Sequence, residues 1–548
     1  MGLFSCVALI IGACIGSAIF SISGMTIWYA GPAAVVSWLV AAVIFGAYGL
    51  LVAELAGRYP RSGGVYVFPK RAIGGAKGAF WGFISGWGYI VSNIIAIAFS
   101  AIYVGAYLSA GFPGIGSGAA IPVAACLVAV AVILPGGGIS QTIQNALVGV
   151  LLATMLVFCV AAFSCGGFDA SGFNGFFTTG VKGAGGFVSA IPLAMLAYGG
   201  CLTVSFMVSE VAEPRRNVPR SLLIGLGLVA LIYAMVIVAV VGTLPFSVLD
   251  SKEELRYIPL FAAISDGGLQ GSPWLSKVVS VCGAAALLTT IIVLLRINAR
   301  TMQAMSYEGL LPDWLSRQSS RGAAWAAVLP MAAVCVALCF FSRWTEYLIV
   351  LGAVLNIVSM AITCISLLLS RKADGKSVLF PLATVAVLCA CYIPEIIRGK
   401  ADMWVFTAAV YAVGATLYLV CSRSRKPRLC GVVVHGKGRG HVHGMPTANL
   451  EPFKGETLPK AGVWKTKVIV DGKVYGGLTN VGLRPSDDDS DKTTVETLIK
   501  DFDGDIYGQE MILEFERYIR ETRKFANLDE LRGQIELDLA TSECDTCR

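Results

Sequence analysis

The chain has 548 residues, of which 56% are hydrophobic and only 14% are charged, and its mean hydropathy is +0.73. This composition excludes an ordinary soluble domain and indicates a protein that is largely embedded in a membrane. Residues 1–422 hold 22 Lys and Arg against 14 Asp and Glu, whereas the remainder holds 20 against 21. The net charge of +7 therefore belongs to the hydrophobic part, and we expect no nucleic-acid partner.

Cysteine usage argues against a zinc or redox centre. Most of the sixteen Cys lie inside apolar runs, as Cys14, Cys126 and Cys282 do, where Cys packs as a small hydrophobic side chain. Cys544 and Cys547 form a CxxC pair near the end of the sequence, but a structural zinc site needs about four ligands and no second pair lies near them. We assign the cysteines no cofactor.

Apolar runs of the length that crosses a bilayer, about 20 residues, recur along residues 1–422. We expect the first run to be a retained helix rather than a secretory signal, because no Lys or Arg precedes Arg58 and the basic start of such a signal is missing. We predict twelve membrane-spanning helices, in the runs 2–22, 28–56, 78–108, 119–135, 141–164, 187–209, 221–245, 275–298, 323–341, 344–370, 377–393 and 402–422.

Basic residues cluster in connections that follow even-numbered runs. They follow the second, sixth, eighth and tenth runs, for example at Arg58, Arg215, Arg300 and Arg371, and again after the twelfth. Basic loops face the cytoplasm, so the sequence predicts a multi-pass protein of the plasma (inner) membrane with residues after 422 in the cytoplasm.

Two of the runs contain helix-weakening residues. The first is interrupted by Gly12, Gly16 and Ser17, and the sixth by the stretch Ala197 to Ser205. Broken helices at corresponding positions of two halves indicate an inverted-repeat transporter whose solute binds near the breaks. Close packing of helices through glycine is the alternative explanation for each cluster taken alone.

Four motifs in order resemble the amino acid, polyamine and organocation transporter superfamily: GACIGSAIF, AELAGRYPRSGGVYVF, EVAEPRRNVPRS and RINARTMQAMSYEGLLPDWL. The resemblance implies a five-plus-five inverted repeat that moves a small solute by alternating access. Ala18 replaces the last Gly of the family's usual G-S-G triplet, and we expect its methyl group to restrict the backbone at the break. The implied solute-binding residues are Ile15, Gly16, Ser17, Ala18 and Ile19 in the first break and Ala197, Tyr198, Gly199 and Gly200 in the second.

Few ionisable residues lie inside the runs, so the coupling ion has no obvious carrier. Glu54 and Glu210 lie at helix ends, where we expect them to pair with loop arginines rather than to carry protons. Thr289 and Thr290 are candidates for a sodium site, and exchange without sodium or protons is the alternative.

After residue 422 the sequence pattern changes to that of short β-strands. GVVV at 431–434 precedes a predicted hairpin with Asp471 and Gly472 at its turn, and the apolar spacing of NLDELRGQIELDLA predicts a closing helix. Such strands suggest a small β-barrel. We therefore expect a transporter domain over 1–422, a short basic linker over 423–429 and a second domain over 430–548.

Three features of this second domain suit phosphate chemistry. The Gly-rich loop HGKGRG at 435–440 carries backbone amides and two basic side chains, although it lacks the Walker A ending and a tight turn explains it equally. Thr447 and Asn449 in PTAN point the same way if the segment is extended, and neutral oxygens suit Mg²⁺ beside nucleotide phosphates, the alternative being a polar turn. Glu496 in the strand TVETLI could take a proton from a substrate hydroxyl, the alternative being a solvated strand carboxylate.

These features, with LPKAGVW, NVGLRPS, VETLIKDFDGDIYG and FERYIRETRKF, resemble riboflavin kinase along residues 430–541. The resemblance implies a kinase that uses ATP and Mg²⁺ to make FMN, with Glu496 as the base and Thr447 and Asn449 on Mg²⁺ and ATP. The changes at His443, Trp464 and RPS remove no catalytic group. The other implied positions are Gly436, Gly438, Arg439, Gly440 and Tyr507 for ATP and Arg520 and Phe525 for the flavin.

The sequence therefore predicts an all-α membrane domain followed by a β-barrel kinase with a C-terminal helix. One hypothesis is that the permease imports riboflavin and the kinase traps it as anionic FMN. The alternative is an amino-acid or amine permease whose kinase acts independently of transport. A third interpretation, a flavin sensor without activity, conflicts with the presence of Thr447, Asn449 and Glu496.

Overall fold

The computed structural model describes residues 1–548 except 60–62, 117, 136, 165–166, 207, 209–210, 270–272, 320–321, 342–343, 399–400, 424–425, 436–446, 454–455, 457, 471–472, 484–492, 503, 524–527 and 544–548. The chain divides into two compact units. The first consists of Met1–Ile73, Gly78–Met305 and Trp314–Leu417, and the second of Gly74–Lys77, Ser306–Asp313 and Tyr418–Arg548.

The described residues before the barrel are helical, in agreement with the predicted fold class. The helices are α1 Leu3–Cys14, α2 Ser17–Ala30, α3 Ala34–Arg58, α4 Val67–Ile73, α5 Gly75–Gly111, α6 Ala120–Ile133, α7 Gly137–Ser164, α8 Gly186–Leu196, α9 Thr203–Phe206, α10 Pro214–Thr243, α11 Phe246–Ser251, α12 Pro259–Ser265, α13 Pro273–Tyr307, α14 Trp325–Cys339, α15 Thr345–Ala373, α16 Leu379–Arg398 and α17 Ala401–Arg423.

Many of these helices are apolar along most of their length. Among the described residues, seven spans are long and apolar enough to cross a membrane, or eight if the bent pair Gly183–Leu196 and Gly199–Ser205 counts as one. Four shorter apolar helices accompany them, at Leu3–Cys14, Ala120–Ile133, Trp325–Cys339 and Leu379–Ile393. The count of twelve spans and the inverted repeat remain predictions.

The first helical run breaks where its glycine cluster predicted. α1 ends at Cys14, Ile15 is extended with φ −74° and ψ 101°, and α2 begins at Ser17. A Cβ atom on Gly16 would lie 2.3 Å from Oγ1 of Thr290, so a larger residue here would require the Thr290 side chain to move. Ala18 lies in the first turn of α2, directly after the break, and the effect of its methyl group on the backbone there stays a prediction.

The second break also lies in the predicted stretch. α8 ends at Leu196, a 3₁₀ turn covers Gly199–Leu202, and the flanking helices differ in direction by 42°. The two breaks contact each other, because a Cβ on Gly200 would lie 2.3 Å from the carbonyl oxygen of Ala13. Tyr233 of α10 donates a hydrogen bond from its hydroxyl to the Cys14 carbonyl at 2.6 Å and also lies 3.4 Å from the Ala197 carbonyl. The phenol thus satisfies a backbone acceptor left free where α1 stops, and it lies next to the one where α8 stops.

Glu54 pairs with arginines, as the sequence predicted. Its carboxylate accepts a hydrogen bond from Arg58 at 2.7 Å and others from Arg371 of α15, and Arg58 also pairs with Asp374 at 2.7 Å. Four charges of alternating sign therefore join the ends of α3 and α15. Glu210 lies outside the described residues.

The second unit contains a closed barrel of six antiparallel strands: β1 Arg428–Val434, β2 Thr447–Pro452, β3 Gly462–Val470, β4 Lys473–Leu483, β5 Thr493–Ile499 and β6 Glu510–Arg520, followed by α18 Leu528–Glu543. The strand order is β1-β2-β5-β4-β3-β6, and β6 closes on β1. Val470 pairs with Lys473, which confirms the predicted hairpin. Alternate side chains fill the interior, among them Val433, Leu450, Val468, Val495 and Leu513.

Basic residues of the linker are bound inside the second unit. Arg428 begins β1, and its guanidinium is 7% exposed and pairs with Glu514 of β6 and with Asp313 at 2.8 Å. Arg428 also donates to the carbonyls of Ser306 and Tyr307, each at 2.7 Å. Both carbonyls belong to the segment Ser306–Asp313 of the same unit, so the guanidinium satisfies backbone acceptors within that unit. Arg428 is thus a structural residue rather than part of a solvated charge run.

Candidate functional site

A continuous row of paired residues crosses all six strands of the barrel. Antiparallel pairing places partners on the same face of the sheet, with their Cβ atoms about 4.5–5.5 Å apart. The row runs, in strand order, through Val434, Asn449, Glu496, Asn480, Val463 and Arg520. It therefore contains three of the residues that the sequence singled out for kinase chemistry.

Thr447 and Asn449 lie on the same face of β2, as their alternate spacing predicted. Ala448 and Leu450 point into the core and are 8% and 4% exposed, so the odd-numbered residues face outward. Asn449 is the cross-strand partner of Glu496, and Thr447 is the partner of Leu498. A hydroxyl, a carboxamide and a carboxylate are thereby collected on one half-buried patch of two strands.

Glu496 owes its orientation to the interior of the barrel. Its neighbours Val495 and Thr497 are 1% and 0% exposed, which forces the intervening carboxylate to the outer face. Glu496 itself is half-buried, between Asn449 on one side and Asn480 on the other. Such a carboxylate can accept a proton from a bound hydroxyl.

A chain of threonine hydroxyls lies on the opposite face of the same strands. Oγ1 of Thr479 is 2.8 Å from Oγ1 of Thr466 and 3.0 Å from Oγ1 of Thr497. All three residues are at most 1% exposed. Each hydroxyl has a partner in the core, so β3, β4 and β5 are joined by side chains as well as by the backbone ladder.

His435 and Tyr507 form an aromatic pair beside the end of β1. Their ring centroids are 3.8 Å apart and the planes differ by 24°. The backbone holds this pair in place, because the amide of Gly508 donates to the Val433 carbonyl at 2.8 Å. Tyr507 thus lies against the residue that opens the Gly-rich loop.

Arg520 forms a two-pronged ion pair with the closing helix. Its Nε and Nη2 atoms lie 3.0 Å and 2.7 Å from Oδ2 of Asp538, whose side chain is 3% exposed. Gln534 donates to the other oxygen of the same carboxylate at 2.8 Å. The pairing fixes α18 to β6 and orients the guanidinium.

Several predicted site residues lie outside the described part of the chain: Gly436, Gly438, Arg439, Gly440 and Phe525. The same holds for Cys544 and Cys547. Within the described residues, no group of three or more His, Cys, Asp or Glu is placed to hold a metal ion.

The first unit contains a cavity of about 120 Å³ at the two helix breaks. Of the predicted solute-binding residues, Ala18, Ala197, Gly199 and Gly200 line it. Ile15, Gly16, Ile19 and Tyr198 lie buried beside it, and the side chain of Ser17 is outside the described set. Among the described residues that line it there is no Asp, Glu, Lys or Arg, and the polar ones include Ser92, Asn93, Thr290 and Asn356.

Sequence reasoning missed the polar residues that other elements bring to these sites. Asn93 and Asn356 come from α5 and α15, and Asn480 comes from β4. The alternation of β4, in which Thr479 and Val481 are buried, is the signal that would have placed Asn480 on the outer face.

Comparison with known proteins gives two families in the order of the two units. Residues 1–421 match the family model for amino acid permease, and residues 423–544 match the one for riboflavin kinase. An uncharacterised transporter of Mycobacterium tuberculosis is 30% identical over 317 residues, which cover 58% of this chain and 68% of that protein.

Two further relatives represent the two parts separately. The branched-chain amino acid permease BcaP of Bacillus subtilis is 26% identical over 58% of this chain and 69% of its own length. The bifunctional riboflavin kinase/FMN adenylyltransferase of Bacillus subtilis is 36% identical over 20% of this chain and 35% of its own length. The chain therefore belongs to the amino acid permease family and carries a riboflavin kinase domain after its membrane helices.

Proposed function

We propose that the C-terminal domain transfers the terminal phosphoryl group of ATP to the terminal ribityl hydroxyl of riboflavin, which yields FMN, with Glu496 as the general base. The observation that supports this assignment is the pairing of Asn449 with Glu496 across β2 and β5. It places a carboxylate next to the oxygens suited to a nucleotide-bound cation. Mg²⁺ held by Thr447 and Asn449 would neutralise the phosphate charge.

In this mechanism the protein mainly positions its substrates. The Glu496 carboxylate accepts the hydroxyl proton while the hydroxyl oxygen bonds to phosphorus and the bond to ADP breaks. We assign the Gly-rich residues Gly436, Gly438, Arg439 and Gly440 to the ATP phosphates, and Tyr507 to the nucleotide side of the site. Arg520 and Phe525 are assigned to the flavin.

The catalytic assignment can be tested in the purified full-length protein by following FMN formation from riboflavin and ATP. Glu496→Gln should lower kcat by about 10²–10⁴-fold, the usual contribution of general base catalysis. Glu451→Gln is the matched control, because Glu451 is an exposed carboxylate on the neighbouring strand β2. Equal rates for wild type and Glu496→Gln would refute the assignment.

For the membrane domain we propose a small amino acid without net charge as the solute. A cavity of about 120 Å³ is smaller than the ~300–1,000 Å³ typical of pockets for drug-sized ligands. Its described lining has no carboxylate to balance a cationic side chain. The similarity to a branched-chain amino acid permease agrees with such a solute.

Riboflavin import followed by trapping as FMN is the second candidate. The observation in its favour is the direct connection of the two domains, since α17 ends at Arg423 and β1 begins at Arg428. Phosphorylation adds negative charge, which would keep the product from leaving through an uncharged pathway. This function requires the kinase domain to lie in the cytoplasm, the location that the basic loops predict for a plasma-membrane protein.

Transport assays in proteoliposomes separate the two candidates. Counterflow of labelled leucine and of labelled riboflavin should be measured in the same preparation, with ATP omitted so that the kinase is silent. Saturable leucine uptake without riboflavin uptake would support the amino-acid solute. Saturable riboflavin uptake that leucine does not compete with would instead support import and trapping.

A further inference from the structure

Asn480 occupies a particular place in the row of paired strand residues. It lies opposite Glu496 of β5 on one side and opposite Val463 of β3 on the other. Val463 is in turn the partner of Arg520 on β6. Asn480 therefore lies between the proposed base and the residue assigned to the flavin ring.

The side chain of Asn480 has an unused hydrogen-bond acceptor. Its Oδ1 atom is buried and has no hydrogen-bond partner among the residues that the structure describes. Buried polar groups in folded proteins almost always have a partner, and an exception calls for a functional explanation such as an absent ligand. A carbonyl oxygen can be satisfied only by a donor, either N–H or O–H.

We propose that Asn480 Oδ1 accepts a hydrogen bond from a secondary hydroxyl of the ribityl chain of riboflavin. This inference rests on the proposed function, because it takes the roles of Glu496 and Arg520 from there. The ribityl chain joins the reacting terminal hydroxyl to the ring system, so a substrate that spans Glu496 and Arg520 passes over Asn480. The hydrogen bond holds the chain extended and positions the terminal hydroxyl at Glu496.

The test is a comparison of substrates and variants in the full-length protein. Wild type and Asn480→Leu are assayed with riboflavin and with its 2′-, 3′- and 4′-deoxy analogues, each of which lacks one secondary hydroxyl. Wild type should lose about tenfold in kcat/KM with one analogue, because a buried acceptor is then left unpaired. Asn480→Leu should raise the KM for riboflavin by a similar factor, leave the KM for ATP unchanged, and no longer distinguish that analogue from riboflavin.

Asn480→Thr retains an oxygen acceptor and should recover part of the riboflavin affinity, which a purely structural role of the carboxamide would not predict. The inference is overturned if Asn480→Leu keeps the wild-type KM, or if it discriminates among the analogues as wild type does. If Asn480→Leu does not fold, the wild-type measurements alone test the inference. Equal kcat/KM values for riboflavin and all three deoxy analogues would overturn it. Absence of FMN formation by wild type would instead overturn the proposed function itself.

Discussion

Asn449 and Glu496 lie directly opposite each other on the antiparallel strands β2 and β5, although 47 residues of sequence separate them. Both are half-buried on the outer face of the barrel, whereas their neighbours Ala448 and Thr497 point into the core. The two side chains therefore lie side by side only when β2 and β5 pair in this register. Four experiments probe the arrangement of the two sites.

Removal of the Thr447 hydroxyl should weaken the use of Mg²⁺. Thr447→Val keeps the shape of the side chain but loses an oxygen, so we expect the Mg²⁺ concentration for half-maximal FMN formation to rise about tenfold. The KM for riboflavin should change little. Thr541→Val is the control, because the Thr541 hydroxyl donates a hydrogen bond within its own helix, to the Leu537 carbonyl. An unchanged Mg²⁺ requirement would contradict the role of Thr447.

Loss of the Arg520–Asp538 pair should destabilise the kinase domain. Asp538→Ala leaves a largely buried guanidinium without its partner, which we expect to cost about 2 kcal/mol. For a domain of this size, the temperature of half-inactivation of the kinase should fall by about 10 °C. The double variant Arg520→Met and Asp538→Leu should be more stable than Asp538→Ala, because no charge remains unpaired. If the single variant matched wild type in thermal inactivation, the pair would not hold α18.

Oxidation should join the two helix breaks covalently. The sulfur atoms of Cys14 and Cys201 are 3.2 Å apart, and both side chains are buried. Hydrogen peroxide should take one hydrogen from each thiol, forming a disulfide and water. Because the bond would fix α1 to the second break, transport should stop and recover with dithiothreitol.

Mass spectrometry of digested protein should detect the peptide pair that contains Cys14 and Cys201. Cys201→Ser should abolish both this product and the loss of transport, whereas Cys126→Ser should leave them unchanged. Full transport by protein in which the disulfide has formed would contradict the expected rigidity.

Acid should weaken the barrel through Glu516. Burial alone would raise the pKa of this carboxyl, but hydrogen bonds from Lys426 and Lys467 outweigh it and hold the pKa below its ordinary value. A lowered pKa in the folded state stabilises the protein above the unfolded value, about 4.3, and this contribution is lost as the pH falls through the folded pKa. Glu516→Gln should therefore be less stable than wild type at pH 7 and approach it below about pH 4.

The measurement is the kinase activity that remains after incubation at pH 3–7 and return to neutral pH. Glu451→Gln controls for the loss of a carboxylate that has an exposed side chain. If the difference in residual kinase activity between wild type and Glu516→Gln stayed constant down to pH 3, the two lysines would not stabilise the Glu516 carboxylate.

Local sequence predicted much of this structure. The glycine clusters marked both helix breaks, and alternate spacing placed Thr447 and Asn449 on one face, because backbone freedom and strand periodicity are local properties. The roles of Asn480 and Tyr233 could not be predicted, since each depends on a partner strand or helix far away in sequence.

The hydroxyl contacts among the three interior threonines, Thr466, Thr479 and Thr497, favour one register of strands β3, β4 and β5. A slip of β4 by one residue would turn Asn480 inward and carry the hydroxyl of Thr479 to the outer face, away from both partners. The slipped chain would then bury polar groups without hydrogen bonds, which makes misaligned forms unfavourable. Replacement of Thr479 by Val should keep the core apolar but specify the strand register less strictly. A fraction of the molecules should then fold in a register that does not bring Asn449, Glu496 and Asn480 side by side.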